Sequence, residues 1–581
     1  MPFSVPSTLR RKRSLLKPHL SLKTRLHLIT LLIILITVVP RTSSARFPLL
    51  FQETQSKLKA LIQAEVSGTE LVCSGEIICG ILFIPDFYAS RDYRPAWGLE
   101  KQDYRNAEDL ISAIRQADED GLTPSDYHLG NLSRMMQGIQ QAYREDTGPS
   151  AQDLAEADLL LTDAFLLFGS HLLGGRVNPE TIHTDWKAFR HNADMSAILS
   201  RALEEQSVGA TLDRLRPPHP GYKALKEALA KRRSEAPRDG WPEVPPGPTL
   251  RMGDQDPRVA ALRQRLAAEG YPLFDMGDPT YFDAVLKQAV ADFQTRNGLA
   301  VDGIVGKNTL YALNLPPEAR IRQIEINLER WRWIPRKLGY RHILVNIAGF
   351  SLQMVEHEKP VGRMRVVVGR PYRKTPVFSS EMTYLVFNPY WNVPHKLAVE
   401  DIAPLVRKDP GYLRRQGIKV LSGWEESSAE VDPASIDWSQ ITKQNFPYRM
   451  RQNPGPLNAL GSIKFMFPNK YSVYLHDTPK RYLFDRSIRG FSSGCIRVEK
   501  PLELALFLLK ESNGWTIERI QEAIDARVTR TVSLSKPVPI HLLYWTAWID
   551  EGGELRFCND IYDRDAALDI ALRKRPTAAD R

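Results

Sequence analysis

The chain has 581 residues, four cysteines and a formal net charge of +10. This length exceeds what one hydrophobic core organises and predicts several domains. The charge is concentrated at the front, because residues 1–45 hold eight lysines and arginines and no acid, leaving 70 basic against 68 acidic residues. A nearly neutral body excludes charge-driven nucleic-acid binding, and four cysteines exclude a disulfide scaffold.

The N-terminal segment has the pattern of an export signal. The basic stretch leads into the apolar run Leu26–Val39, followed by the small residues Ser43-Ser44-Ala45. As a helix this run rises about 21 Å, short of the roughly 30 Å hydrocarbon core of a bilayer. We therefore predict a cleaved signal peptide at residues 1–45, with an uncleaved anchor as the alternative. Contact with a membrane is expected only through this segment.

Residues 46–240 are helical in period. Leu154, Leu161, Phe165 and Phe168 fall on one apolar stripe, which predicts a helical scaffold domain. Cys73 and Cys79 are near neighbours in the sequence and could either form a disulfide in an oxidising compartment or remain two buried thiols.

Residues 241–316 begin with a Pro- and Gly-rich linker and continue as three short helices. The stretch from Phe293 to Thr309, with its Asp302-Gly303 turn, resembles the peptidoglycan-binding domain found on many wall enzymes. The resemblance implies attachment to glycan or stem peptide. The alternative is a helical spacer that keeps the fold without the affinity.

From residue 317 to 515 the apolar period changes to two, which predicts a mainly β domain. A polar, Pro- and Gly-rich stretch at about 405–461 interrupts the strands and predicts a lid or binding loop. Residues 516–581 are expected to form a C-terminal extension that packs on this domain. The fold class is therefore multidomain α+β: a helical scaffold domain, a small three-helix domain and a mainly β domain with an inserted lid.

The last domain carries the candidate chemistry. In the strand Val473-Tyr474-Leu475-His476, alternation places Tyr474 and His476 on one face. Cys495 lies in a glycine-containing loop ahead of a helix, where backbone N–H groups can converge on an oxyanion. A thiol and an imidazole can act as nucleophile and base. Taken alone, one cysteine with one upstream histidine favours a buried cysteine and a satisfied core histidine over a catalytic pair.

The segments that contain these residues resemble a family signature. His476-Asp477-Thr478-Pro479 together with Ser492-Ser493-Gly494-Cys495-Ile496-Arg497-Val498 is similar to the active-site motif of the L,D-transpeptidases. Residues 388–394, which include Trp391, are similar to a segment of the large periplasmic members.

The resemblance implies a role for each matching residue. Cys495 would be the nucleophile and His476 its base, with the amides of Gly494 and Cys495 as oxyanion donors and Tyr474 assisting that hole. Arg497 would anchor the loop or the substrate. Trp391 would line the groove or pack in the core. Ser493 stands where many members have histidine, which argues against a second-histidine mechanism. Either Asp477 or a backbone carbonyl could orient His476.

The implied function is a peptidoglycan L,D-transpeptidase, exported to the periplasm of a Gram-negative cell, that forms 3→3 crosslinks through a cysteine thioester. The alternatives are an L,D-carboxypeptidase or cysteine peptidase on stem peptides, and a non-catalytic wall-binding scaffold. The expected partners are stem peptides and glycan, and the sequence identifies no protein partner. No cofactor or metal is expected, since the centre has no zinc-site spacing.

Overall fold

A computed structural model describes residues 43–63, 72–80, 82–189, 191, 193–237, 240–273, 277–425, 427–512 and 514–575. The predicted signal peptide lies outside this part of the chain, apart from its last three residues at the start of the first helix.

The N-terminal domain is helical because its apolar residues recur at helical spacing, and those up to Leu215 bury one continuous core while Tyr222, Leu225 and Leu229 pack against the helix Pro317–Trp331. Its helices are α1 Ser43–Gln63, α2 Ile84–Ser90, α3 Arg105–Arg115, α4 Leu129–Arg144, α5 Ala151–Gly174, α6 Pro179–Ile182, α7 Met195–Glu204, α8 Val208–Leu215 and α9 Pro220–Glu235, with the hairpin β1 Val72–Cys73 and β2 Glu76–Ile77. Helix α5 is central and begins at a capping box formed by Ser150 and Asp153.

Helix α5 is also long and apolar enough to cross a membrane. However, 83% of the residues in its most apolar 18-residue stretch are buried inside the protein. Its environment is therefore that of a core helix. Cys73 and Cys79, which lie in the same domain, are both buried and are not joined by a disulfide.

The second unit is the predicted three-helix domain, with α10 Arg258–Ala268, α11 Ala284–Arg296 and α12 Lys307–Leu313. Leu262, Leu286 and Phe293 are fully or almost fully buried in its separate core. Gln294 fixes the turn after α11, since its side chain accepts the Gly303 N–H at 2.8 Å and donates to the Ile304 carbonyl at 2.9 Å. Helix α13, Pro317–Trp331, leads from this unit into the β domain.

The β domain is built on one nine-stranded sheet. Its strands are β3 Arg341–Asn346, β4 Ser351–Glu356, β5 Lys359–Gly369, β6 Phe378–Phe387, β11 Ile463–Met466, β12 Leu475–His476, β13 Gly490–Ser492, β14 Ile496–Val498 and β15 Arg530–Leu543. Their order in the sheet is β13-β5-β14-β12-β11-β6-β15-β3-β4. Because β5 also pairs with β4, eight of these strands form a barrel-like ring. Its interior holds alternate apolar residues such as Ile343, Leu475 and Ile540.

The C-terminal residues do not simply pack on this sheet. Strand β15 lies between β6 and β3, so part of the predicted C-terminal extension is an internal strand of the sheet. The remaining elements around it are the helices α17 Pro501–Leu509, α18 Ile517–Asp525 and α19 Arg564–Arg573, and the hairpin β16 Ala547–Ile549 and β17 Leu555–Phe557.

The insert is a folded unit of its own. A four-stranded sheet in the order β7-β10-β8-β9 combines β7 Trp391–Asn392, β8 Ile418–Leu421, β9 Glu430–Val431 and β10 Arg449–Gln452. The helices α14 His395–Leu397, α15 Ala403–Lys408 and α16 Tyr412–Gln416 complete it, and a π-helical turn, Ala398–Ile402, joins α14 to α15. Val406, Val420 and Met450 lie in its core. The insert begins near residue 391, earlier than the predicted 405. The predicted multidomain α+β class is confirmed.

Candidate active site

The candidate site is formed by two neighbouring parallel strands of the ring. Leu475 on β12 pairs with Ile496 on β14, and both side chains are fully buried in the interior. The next pair, His476 and Arg497, therefore lies on the outer face. Cys495 directly precedes Ile496, whose N–H donates to the Tyr474 carbonyl at 3.1 Å. The fold thus brings the predicted nucleophile and base to the same outer face.

A backbone carbonyl orients the imidazole of His476. Its Nδ1 donates to the carbonyl oxygen of Asp477 at 2.5 Å, which leaves Nε2 with the lone pair. The Asp477 carboxylate is used elsewhere, accepting from Ser462 N–H at 2.9 Å and pairing with Arg481 at 3.3 Å. Of the two predicted orienting groups, the structure selects the carbonyl.

Both members of the pair are neutral at pH 7. Burial and the neighbouring charges of Arg497 and Lys464 lower the pKa of His476 to about 3, against the carbonyl bond that raises it. Burial raises the pKa of the Cys495 thiol, and this outweighs the hydrogen bonds from Tyr474 and the charges of Lys464 and Arg497 that lower it. The resting state is a thiol beside a neutral imidazole, not a thiolate–imidazolium ion pair.

Tyr474 lies on the same face as Cys495. Hydrogen bonding from its hydroxyl and from its backbone N–H lowers the pKa of the Cys495 thiol, and the sulfur lies 4.0 Å from the Ser472 carbonyl oxygen. The rings of Tyr474 and His476 are 5.7 Å apart. The sulfur contact differs from the predicted role of Tyr474 in the oxyanion hole, because the hydroxyl stabilises charge on the sulfur.

Lys464 on β11 belongs to the same face and is absent from the predicted site. It pairs across the strands with His476, and its ammonium nitrogen lies 4.1 Å from the centre of the Tyr474 ring. Burial lowers its pKa, while the Cys495 charge raises it. The alternation Ile463-Lys464-Phe465 places Lys464 on the outer face once this segment is known to be a strand. The sequence alone does not show that this strand lies next to the strand of His476.

Hydrogen bonds within the cysteine loop decide which amides are free. Gly494 has a φ of +116°, a conformation that favours glycine. Its N–H donates to Ser492 Oγ at 3.1 Å, and Ser492 Oγ donates to the Cys495 carbonyl at 2.5 Å. The Gly494 amide is therefore already engaged, contrary to its predicted role as an oxyanion donor. Of the two predicted oxyanion donors, the Cys495 N–H stays a prediction.

The loop is also tied to the insert. Ser493 is exposed and its hydroxyl oxygen accepts from Arg373 Nη1 at 3.1 Å. The same guanidinium pairs with Asp401 at 2.5 Å and with Glu400 at 2.9 Å, both in the insert. Arg373 thus connects the insert to the residue two positions before Cys495.

Two further predicted residues have different environments. Arg497 lies on the outer face of the site, and its buried Nε has no hydrogen-bond partner among the described residues. Trp391 lies on β7, pairs with Gln452 and packs against the core of the insert. Arg497 is available to a ligand, whereas Trp391 mainly supports the insert.

Comparison with known families identifies the domain that contains this site. Residues 340–531 match the family described as "L,D-transpeptidase catalytic domain". This part of the chain is therefore similar to the catalytic domain of that family. Cys495 and His476 fall inside the matched region. Residues 83–229 match "Scaffold domain", and residues 255–313 match "Putative peptidoglycan binding domain".

One relative of this chain is a Haemophilus influenzae protein named "Putative L,D-transpeptidase", 38% identical over 281 residues. The match covers 47% of this chain and 56% of the relative, so the chain spans little more than half the relative's length.

Two solved structures are also similar. The L,D-transpeptidase from Xylanimonas cellulosilytica is 17% identical, covers 51% of this chain and 99% of its own, and has a TM-score of 0.17. That from Stackebrandtia nassauensis is 12% identical, covers 52% and 96%, and has a TM-score of 0.21. TM-scores this low support no conclusion about this chain.

Proposed function

We propose that this chain forms 3→3 crosslinks in peptidoglycan by acyl transfer through a thioester on Cys495. The observation that carries the proposal is the shared outer face of β12 and β14, which presents both a partly exposed thiol and an oriented, neutral imidazole. A thiol sealed in the core, or an imidazole with both nitrogens engaged by the protein, would not support such a reaction.

The first step forms the thioester. His476 Nε2 takes the thiol proton while the sulfur attacks the carbonyl between meso-diaminopimelate and the terminal D-alanine of a tetrapeptide stem. The Cys495 N–H stabilises the oxyanion. When the adduct collapses, the C–N bond breaks and the imidazolium returns its proton to the alanine amine. An imidazole with a pKa of about 3 is a strong acid once protonated, which favours this return.

The second step resolves the thioester. Attack by the side-chain amine of a second stem's diaminopimelate gives the crosslink and regenerates the thiol, whereas attack by water gives carboxypeptidase activity. Lys464 and Arg497 place positive charge beside the thiol, which suits a donor stem with carboxylates.

The insert is proposed to act as a lid that favours the amine over water. The contacts of Arg373 with Asp401 and Glu400 support this role, because they fix the insert relative to the cysteine loop. The three-helix domain is proposed to attach the enzyme to the wall, and the basic N-terminal segment supports export to the periplasm.

The test incubates the soluble chain with disaccharide tetrapeptide and reads the products by mass. Crosslinked dimer from the unaltered protein and none from Cys495→Ala supports the proposal. Tripeptide alone would support the carboxypeptidase alternative. If the unaltered protein left the disaccharide tetrapeptide unreacted, the result would support the alternative of a non-catalytic wall-binding scaffold.

A further inference from the structure

A second cavity lies on the ring, away from the cysteine. It has a volume of about 760 Å³ and is bordered by the outer face of β3 and β4, the start of α9 and the segment that follows α13. In the order of the eight-stranded ring, β3 lies four strands from β12 in either direction. The cavity therefore opens on the opposite side of the β domain from Cys495. Its volume is in the range of small-ligand sites.

One wall of the cavity is aromatic. Trp331 and Trp545 are stacked with ring centres 4.3 Å apart and an interplanar angle of 24°, and Trp548 borders the same space. Both stacked indoles are 7% exposed. Leu344 is only partly buried although it lies in the middle of a strand, because its side of the sheet faces this space.

Two hydrogen-bond donors at the cavity have no partner among the described residues. They are the indole nitrogen Nε1 of Trp331 and the amide nitrogen Nδ2 of Asn346, whose side chains are at least nine-tenths buried. The amide orientation is fixed, because Asn346 Oδ1 accepts the Trp545 backbone N–H at 3.0 Å. Leaving two buried donors unpaired is costly, and neither atom is exposed in this state, so a ligand would pair with them only after the side chains at the cavity wall move.

Two histidines add acceptors without charge. His219 Nε2 donates to the Pro335 carbonyl at 3.0 Å, and His342 Nδ1 donates to the Gly339 carbonyl at 2.8 Å. Each ring therefore keeps one nitrogen lone pair. Burial lowers the pKa of His219 to about 4 and also lowers the pKa of His342. Both rings are neutral at pH 7.

The charged groups near the cavity are engaged or peripheral. Arg336 donates to the carbonyls of Leu215 at 2.8 Å and Arg214 at 2.7 Å. Lys337 and Glu358, of opposite sign, are exposed. An uncharged wall of aromatic faces, unpaired donors and imidazole acceptors does not suit an ionic ligand such as a stem peptide.

We propose that this cavity is a second ligand site that binds an uncharged saccharide, namely an N-acetylated amino sugar of a glycan chain. The indole rings would contact the apolar face of the pyranose, Trp331 Nε1 and Asn346 Nδ2 would donate to acetamido and hydroxyl oxygens, and the imidazoles would accept from hydroxyls. The site goes beyond the proposed crosslinking, since it would hold glycan on the side of the domain opposite to the chemistry.

The test titrates the full chain with the tetramer of N-acetylglucosamine, using calorimetry and amide hydrogen exchange. The expected result is saturable binding that protects residues 336–357, with at least a tenfold weaker affinity for the glucose tetramer, which lacks acetamido groups. Leu344→Trp fills the cavity and Trp548→Ala removes part of its wall. Each should weaken binding at least tenfold, with Phe189→Ala as an exposed aromatic control that leaves it unchanged.

The outcomes separate this proposal from crosslinking. Acylation of Cys495 should be unchanged in Leu344→Trp, and the melting temperature of each variant shows that it is folded. Three outcomes would overturn the second site: protection confined to residues 255–313, no binding of the N-acetylglucosamine tetramer, or binding by the folded cavity variants as tight as by the unaltered protein. None of them would contradict the crosslinking proposal. Binding that is lost in both cavity variants supports the second site even if no crosslinked product forms.

Discussion

Arg373 donates a hydrogen bond to Ser493 at 3.1 Å, and this contact links the insert to the cysteine loop. The guanidinium is only 10% exposed and is held by Asp401 and Glu400. Because charge-assisted bonds of this kind fix geometry as well as contribute energy, the link positions Cys495. Arg373 is a positioning residue, since it contacts Ser493 and not the sulfur.

Replacing Arg373 with alanine should slow acylation of Cys495 about tenfold, the effect of losing about 1.4 kcal/mol of positioning. The rate is measured by intact mass in single turnover. Arg373→Lys keeps the charge but not the fork of donors and should recover only part of the rate. A folded Arg373→Ala variant with an unaltered rate would show that the insert and the cysteine loop act independently.

Tyr474→Phe removes the hydroxyl that hydrogen-bonds to the sulfur while keeping the ring beside His476. We expect the thiol pKa to rise further and iodoacetamide labelling at neutral pH to slow by about three- to tenfold, because that bond favours the thiolate. The pKa is read from labelling rate against pH, with Cys495→Ala as the background from the three buried thiols. A thiol pKa equal to that of the unaltered protein would contradict the contact.

The pH dependence of acylation follows from the two pKa shifts. His476 has its pKa lowered to about 3 and stays unprotonated above that value, while the Cys495 pKa is raised. The acylation rate should therefore be flat from about pH 5 to 8. A histidine with an ordinary pKa would instead give a rising limb centred at about 6.5. Observing that limb would show that His476 is more solvated than its buried position indicates.

The lid role predicts a change in product ratio. Replacing residues 395–456 with a short Gly/Ser link should raise tripeptide relative to crosslinked dimer, because water gains access to the thioester. The double variant Glu400→Gln with Asp401→Asn keeps the insert but weakens its contact with Arg373, and should shift the ratio in the same direction by a smaller amount. If both variants gave the same ratio of tripeptide to dimer as the unaltered protein, the insert would not act as a lid.

The sequence predicted much of this architecture because each domain has its own period. Apolar residues recur at helical spacing around Leu154 and Phe165, and they alternate with a period of two at Ile343 and Val345. These two periods distinguish the helical region from the β region without any knowledge of tertiary contacts. The placement of β15 could not be predicted in this way. Its pairing with both β6 and β3 joins segments separated by some 150 to 200 residues, and apolar period carries no information on such partners.

The site was predictable to the extent that it is local in sequence. His476 and Cys495 lie in two short motifs, and alternation places Tyr474 beside His476. Lys464 and Arg373 come from other strands and loops, so their approach depends on the register of the sheet. The engagement of the Gly494 amide by Ser492 depends on a hydroxyl rotamer, which no sequence pattern specifies.

The most direct test of the central claim is the intact mass of the protein after brief exposure to disaccharide tetrapeptide, followed by peptide mapping. We expect an adduct equal in mass to the donor without its terminal alanine, located on Cys495, removed by hydroxylamine and absent from Cys495→Ala. His476→Ala should reduce its formation rate by about 100-fold or more. An adduct on another residue, or crosslinked product formed by Cys495→Ala, would contradict the thioester.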